Sequence, residues 1–127
     1  MPVNHRSKER RQALAKMATR LFDHWKLSIP DQAAMLGFSE SSLATIMRYR
    51  KGAPLADRID LIDRAVNLLA IHSTLRVLFP QNRDLVYKWP TTPNKAFRGL
   101  SPVQFIKDEG FMGLVVIKRH LDFQDAN

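Results

Sequence analysis

The chain contains no cysteine, so disulfides, thiolate metal ligands and a cysteine nucleophile are all excluded, and a reducing compartment is allowed. It has no glycine-rich phosphate loop and no nucleophile elbow. Its four histidines, His5, His24, His72 and His120, are scattered, and none has a second ligand at metal-site spacing. Catalysis therefore has no visible home, and no metal or cofactor is expected. Long apolar runs are missing too. The longest purely aliphatic one is Leu114 to Ile117, far short of the roughly 20 residues a membrane span needs, and the start MPVNHRSKERR lacks an apolar signal core. A soluble, cytoplasmic protein with no membrane role is expected.

Acidic residues are also in short supply, 12 Asp and Glu against 20 Lys and Arg, for a net charge of +8. The imbalance is local: residues 1–54 hold 10 basic and 4 acidic side chains, and residues 55–127 hold 10 and 8. A polyanion partner for the first part is the natural reading, against the alternative of a solvated basic face. What is present in ordinary proportion is the material of a core. Apolar residues make up 45% of the 127, enough for one domain or two very small ones sharing a core.

The stretch Pro30 to Gly52, PDQAAMLGFSESSLATIMRYRKG, organises the rest and reads as a helix-turn-helix. Gly37 can take the positive φ of a sharp turn, Phe38 plugs the corner, and Ser39 is placed to cap a second helix that starts there. Ala33, Gly37, Leu43 and Ile46 occupy the spacing at which such a motif needs a small residue at the crossing, a turn glycine and two apolar anchors. Leu43, Ile46 and Met47 are predicted to pack inward, leaving a small, polar and basic outward face. Operator DNA would then be contacted by Ser39, Ser41, Ser42, Thr45, Arg48, Tyr49 and Lys51, short side chains near the bases and basic ones at phosphate. An ordinary helical hairpin is the alternative.

Around this motif the chain reads as all-α. Ser7 caps a long helix to about Lys26, with Leu14, Met17, Ala18, Leu21, Phe22 and Trp25 on one face. Its basic residues Arg6, Lys8, Arg10, Arg11, Lys16 and Arg20 suit either phosphate contacts or a solvated arm, beyond a frayed start at residues 1–6. Ser28 with Pro30 and Asp31 starts the next helix. Gly52 and Pro54 end the motif, and the one internal boundary is drawn there, giving residues 1–54 and 55–127. From Leu55 to Phe79 a wide apolar stripe implies burial on two sides and a homodimer. Asp57, Asp60 and Asp63 belong to its solvated face, with Asp60 and Arg64 as an i, i+4 pair. Asn82 to Trp89 forms a short helix, residues 90–102 a proline-rich loop, and Ser101-Pro102 opens a helix that Gly110 ends. A last helix spans Met112 to Leu121.

The second half carries a recognisable order of motifs: RAVNLLAIHSTLRVLFP (64–80), Trp89, PNKAF (93–97), GLSPVQFI (99–106), Gly110 and IKRHLD (117–122). It resembles the toxin-binding domain of the Xre/MbcA/ParS antitoxins over about residues 20–123, departing where Pro90 follows the tryptophan in place of an aliphatic residue. The resemblance implies a type II toxin–antitoxin system. An Xre-like helix-turn-helix would bind operator DNA and dimerise, and the C-terminal domain would occlude the NAD pocket of a cognate RES-domain toxin that consumes or transfers from NAD. The antitoxin itself would not be an enzyme. On that footing, toxin contact is expected in residues 90–127, through Lys95, Arg98, Lys118, Arg119, Asp122 and Asp125. Two other classes stay open at this point: a stand-alone transcription regulator with a C-terminal sensing or dimerisation domain, and an interaction module that keeps its helix-turn-helix only to dimerise. A RES-domain reading frame next to this one discriminates among them.

Overall fold

The computed structural model describes residues 6–126. The expected frayed start therefore lies, but for Arg6, outside the described residues. Seven α-helices and two short 3-10 turns make up the regular structure, and there is no strand among the described residues. The chain forms two compact units, Met1–Val66 and Asn67–Asn127, and their boundary falls inside a helix rather than in the loop at Pro54.

In the first unit α1 is Lys8–His24, α2 Ile29–Met35 and α3 Leu43–Arg50. Local signals fix their ends. The Ser7 hydroxyl accepts from the Arg10 amide, and the Ser28 hydroxyl from the Asp31 amide, so both expected caps form. All three helices end in the same way. Lys26, Gly37 and Gly52 take φ of +58°, +82° and +108°, and the amide that follows each returns to the carbonyl of Phe22, Ala33 and Arg48 respectively. These are Schellman motifs, which satisfy carbonyls that the helix leaves without partners.

On α1, Leu14, Ala18, Leu21, Phe22 and Trp25 are buried as expected, while Met17 lies at the edge of that stripe and is exposed. The basic residues at its start are partly engaged within the unit. Arg6 pairs with Asp57 at 2.8 Å, and Arg11 donates to the Leu55 carbonyl at 2.7 Å. Together they clasp the beginning of α1 to the segment after α3.

α4 runs Ile59–Leu78, beginning later than the Leu55 expected of it, although Leu55 is itself buried. Most of its broad apolar stripe, Leu61, Ile62, Ala65, Leu68, Ile71 and Leu75, is buried within the single chain, and only Ile59 and Val77 stand exposed at its ends. Val66, Leu69, Ala70 and Leu78 are half-buried along the same helix. Asp60 pairs with Arg58 at 2.7 Å, and its charge also acts on Arg64 one turn on.

The second unit continues with α5, Arg83–Lys88, capped by the Asn82 side chain, then 3-10 turns at Trp89–Thr91 and Lys95–Phe97. Pro90 sits buried in the first of these turns, which is how the chain accommodates it after Trp89. α6, Pro102–Glu109, opens on a complete capping box: Ser101 accepts from the Gln104 amide while the Gln104 side chain accepts from the Ser101 amide. α7 is longer than expected, Phe111–Ala126. Phe97 anchors this unit, its ring meeting Trp89, Phe105 and His120 at centroid distances of 6.1, 5.4 and 5.2 Å.

Candidate functional site

The helix-turn-helix is built by α2, the turn 36–42 and α3. Ala33 is fully buried, and Gly37 is the residue where the turn approaches α4: a Cβ there would lie 2.7 Å from Arg64 Nε. Burial lowers the pKa of the Arg64 guanidinium, against an opposing pull from Asp60. Phe38 fills the corner, tilted against Tyr49 at 6.3 Å and covered by the Arg58 guanidinium at 5.8 Å from its ring centre. Arg50 forks onto both oxygens of Asp23, at 2.7 and 3.0 Å, and so ties α3 to α1. That bidentate hydrogen bond raises the arginine's pKa.

The second helix does not start at Ser39. Residues 39–42 form a turn in which the Ser39 hydroxyl bonds those of Ser41 and Ser42 at 2.8 and 3.3 Å, and α3 begins only at Leu43. Ser42 occupies the cap position without making a side-chain cap bond. This changes which face of α3 turns inward. Ile46 and Tyr49 are the buried residues, whereas Leu43 and Met47 are 46% and 40% exposed. Tyr49, expected at DNA, is only 5% exposed, and its hydroxyl accepts from the Ala56 amide at 3.4 Å. It is a core residue.

The remaining expected DNA contacts have mixed positions. Ser39, Ser41, Arg48 and Lys51 are exposed, while Ser42 and Thr45 are half-buried. Arg48 reaches the Thr45 hydroxyl at 3.4 Å, and among the described residues no carboxylate pairs with Arg48 or Lys51. Leu43, Ala44 and Met47 join them on the outward face, which is consequently apolar as well as basic. Such a face can meet phosphates and thymine methyl groups at once. Leu43 and Met47 were missed because their i, i+4 spacing equally suits a core stripe.

In the second unit the residues expected at the toxin do not converge as one cluster of free charges. Arg98, with φ of +58°, donates to Glu109 at 2.8 Å and stands 5.5 Å from the centre of the Phe105 ring. Lys118 and Asp122 pair with one another at 2.7 Å along α7. Lys95, Arg119 and Asp125 are exposed and have no partner among the described residues. Beside Arg119 on the same face of α7 lie Met112, Val116 and Phe123, all exposed, a stripe that the charge-based reading passed over. Among the described residues no group of three or more His, Asp or Glu could hold a metal ion, and no helix is long and apolar enough to cross a membrane.

Residues 5–70, more than half of the chain, match the family described as the antitoxin Xre-like helix-turn-helix domain. The chain belongs to that family. This antitoxin-type domain takes in α1, α2, α3 and most of α4, and so includes the turn at Gly37 and the outward face of α3. The chain is also similar to a protein of Sinorhizobium fredii named uncharacterized protein y4oB, with 28% identity over 105 residues, covering 83% of this chain and 78% of the relative. That likeness extends beyond the helix-turn-helix domain into the second unit, which the family match covers only to residue 70.

Proposed function

We propose that this chain is the antitoxin of a type II toxin–antitoxin pair, acting in the cytoplasm. Residues 1–54 bind the operator of its own operon, and residues 55–127 dimerise and occlude the NAD pocket of a cognate RES-domain toxin. The observation that carries the reading is the antitoxin family of residues 5–70, joined to a recognition helix at whose end Arg48 and Lys51 are exposed with no carboxylate partner among the described residues. In the second half the motif order resembles the toxin-binding domain of such antitoxins. Its exposed groups, Lys95, Arg119 and Asp125 with the α7 stripe Met112, Val116 and Phe123, offer a surface both charged and apolar. That mixture is what an occluding interface uses, an apolar centre for affinity and a polar rim for register. Arg98, Lys118 and Asp122, each already paired, hold the platform and can exchange partners on binding.

The test is expression of the RES-domain protein from the adjoining reading frame, alone and together with this chain. Rescue of growth and of cellular NAD is expected only with co-expression. No rescue, with operator binding retained, would make the chain a stand-alone regulator. Operator binding as a homodimer predicts half-sites in inverted repeat, roughly one helical turn apart. Light scattering is expected to give twice the 14.6 kDa chain mass at tens of micromolar, and a monomer there would refute the dimer.

A further inference from the structure

A cleft of about 590 Å³ opens in the second unit, at the C-terminal end of α4 and along α5, and neither the operator nor the toxin reading uses it. Two helical faces make its walls: Ser73, Arg76 and Val77 fall at i, i+3 and i+4 on α4, and Arg83 and Tyr87 at i and i+4 on α5. Phe79 lies between them, where Pro80 stops α4 and the chain turns into the Asn82 cap. Tyr87 is held in place by stacking on His72, with rings 5.5 Å apart and 11° from parallel.

The charge of this cleft is one-sided. No Asp or Glu is among its lining residues, and neither Arg76 nor Arg83 makes a hydrogen bond or ion pair with any described residue. Two uncompensated guanidinium groups beside one concavity favour an anion, and their planar forks match the oxygens of a phosphate. The cleft also has more room than a bare phosphate fills, since its volume lies in the range of about 300–1,000 Å³ typical of small-molecule sites. Apart from Ser73, the rest of its lining is apolar or aromatic, and Val77 is left 62% exposed.

We propose that this cleft binds a phosphomonoester of nucleotide size, with Arg76, Arg83 and the Ser73 hydroxyl on the phosphate and Val77, Phe79 and Tyr87 against the uncharged part. A signalling or metabolic nucleotide bound there would act on the second unit without touching α3. The proposal stands apart from the toxin reading and survives its failure.

The test titrates the intact chain with AMP, inorganic phosphate, adenosine and a short polyglutamate peptide, by calorimetry and by amide chemical-shift mapping. AMP is expected to bind with a sub-millimolar Kd, about tenfold or more tighter than phosphate or adenosine alone, with shifts confined to residues 73–87. Arg76→Gln and Arg83→Gln should each weaken AMP by about tenfold or more at unchanged melting temperature. If one of them unfolds the chain, Arg76→Lys and Arg83→Lys replace it, keeping the charge but losing the fork, with the same loss expected. The proposal is overturned by any of four results: no binding at about 5 mM AMP, affinity unchanged in the variants, shifts at residues 43–51, or polyglutamate binding more tightly than AMP. The last would make the cleft a dock for an acidic protein segment.

Discussion

Gly37 carries the turn between α2 and α3 on one backbone angle. At φ of +82° an L-residue with a side chain is disfavoured by about 1–2 kcal/mol, and a Cβ would also press on Arg64 Nε and Cζ. The second contact is relieved cheaply, because the end of an arginine side chain can swing away. Gly37→Ala should therefore lower stability by about 1–2 kcal/mol in denaturant melts, mostly through the backbone. Three neighbours at the end of α3, Arg48, Tyr49 and the capping Lys51, separate in a similar way into fold and function. Tyr49→Ala removes a buried ring and should cost about 3–5 kcal/mol. Arg48→Ala with Lys51→Ala should leave the melt unchanged and weaken operator binding instead. Its log–log salt dependence should flatten by about one unit for each lost phosphate contact. A folded double variant with an unchanged salt slope would place DNA binding on another surface.

At the scale of elements, capping and stop signals were legible in the sequence, except at Ser39, which caps no helix. Ser7, Ser28 and Ser101 cap where their spacing says they should, and Gly52 and Gly110 end helices, because each acts through bonds within a few residues. The face that α3 turns inward was not legible. It depends on how the three serines of the turn bond to one another and on where Phe38 finds Tyr49, which are contacts no periodicity encodes. The outer stripe of α7 was hidden for a related reason: its residues repeat at helical spacing whether they face a core or a partner. The packing of α6 on α7 yields a sharper prediction. Gly113 is fully helical, so Ala there should gain up to about 1 kcal/mol of helix propensity. A Cβ at Gly113, however, would meet the Phe105 carbonyl at 2.9 Å and the Ile106 Cα at 3.2 Å, backbone atoms that cannot swing aside. Overpacking of this kind costs about 1–3 kcal/mol, so Gly113→Ala should destabilise the second unit in spite of its propensity. A raised melting temperature would show that the two helices separate at no cost.

On the scale of the whole molecule the proposal divides the labour between the two halves, and removing the last turn of α7 tests that division. Leu121 is the last buried residue, and every described residue after it, Asp122 to Ala126, is exposed. A chain ending at Leu121 therefore loses no core side chain. What it loses is the Lys118–Asp122 ion pair, an exposed i, i+4 pair worth about 0.3–0.5 kcal/mol, together with Phe123 and Asp125. Folding and operator binding should persist, because the helix-turn-helix family match ends at residue 70 and α3 lies far earlier in the chain. Toxin neutralisation should weaken, because the truncation takes the end of the apolar stripe on α7 and releases Lys118 from its carboxylate. The measurement is paired: gel-shift affinity for the operator in one arm, growth and NAD content of cells expressing the toxin in the other. Lost protection with unchanged operator affinity is the expected result. Full protection by the truncated chain would move the toxin contact to earlier residues of the second unit, among them Lys95 and Arg98.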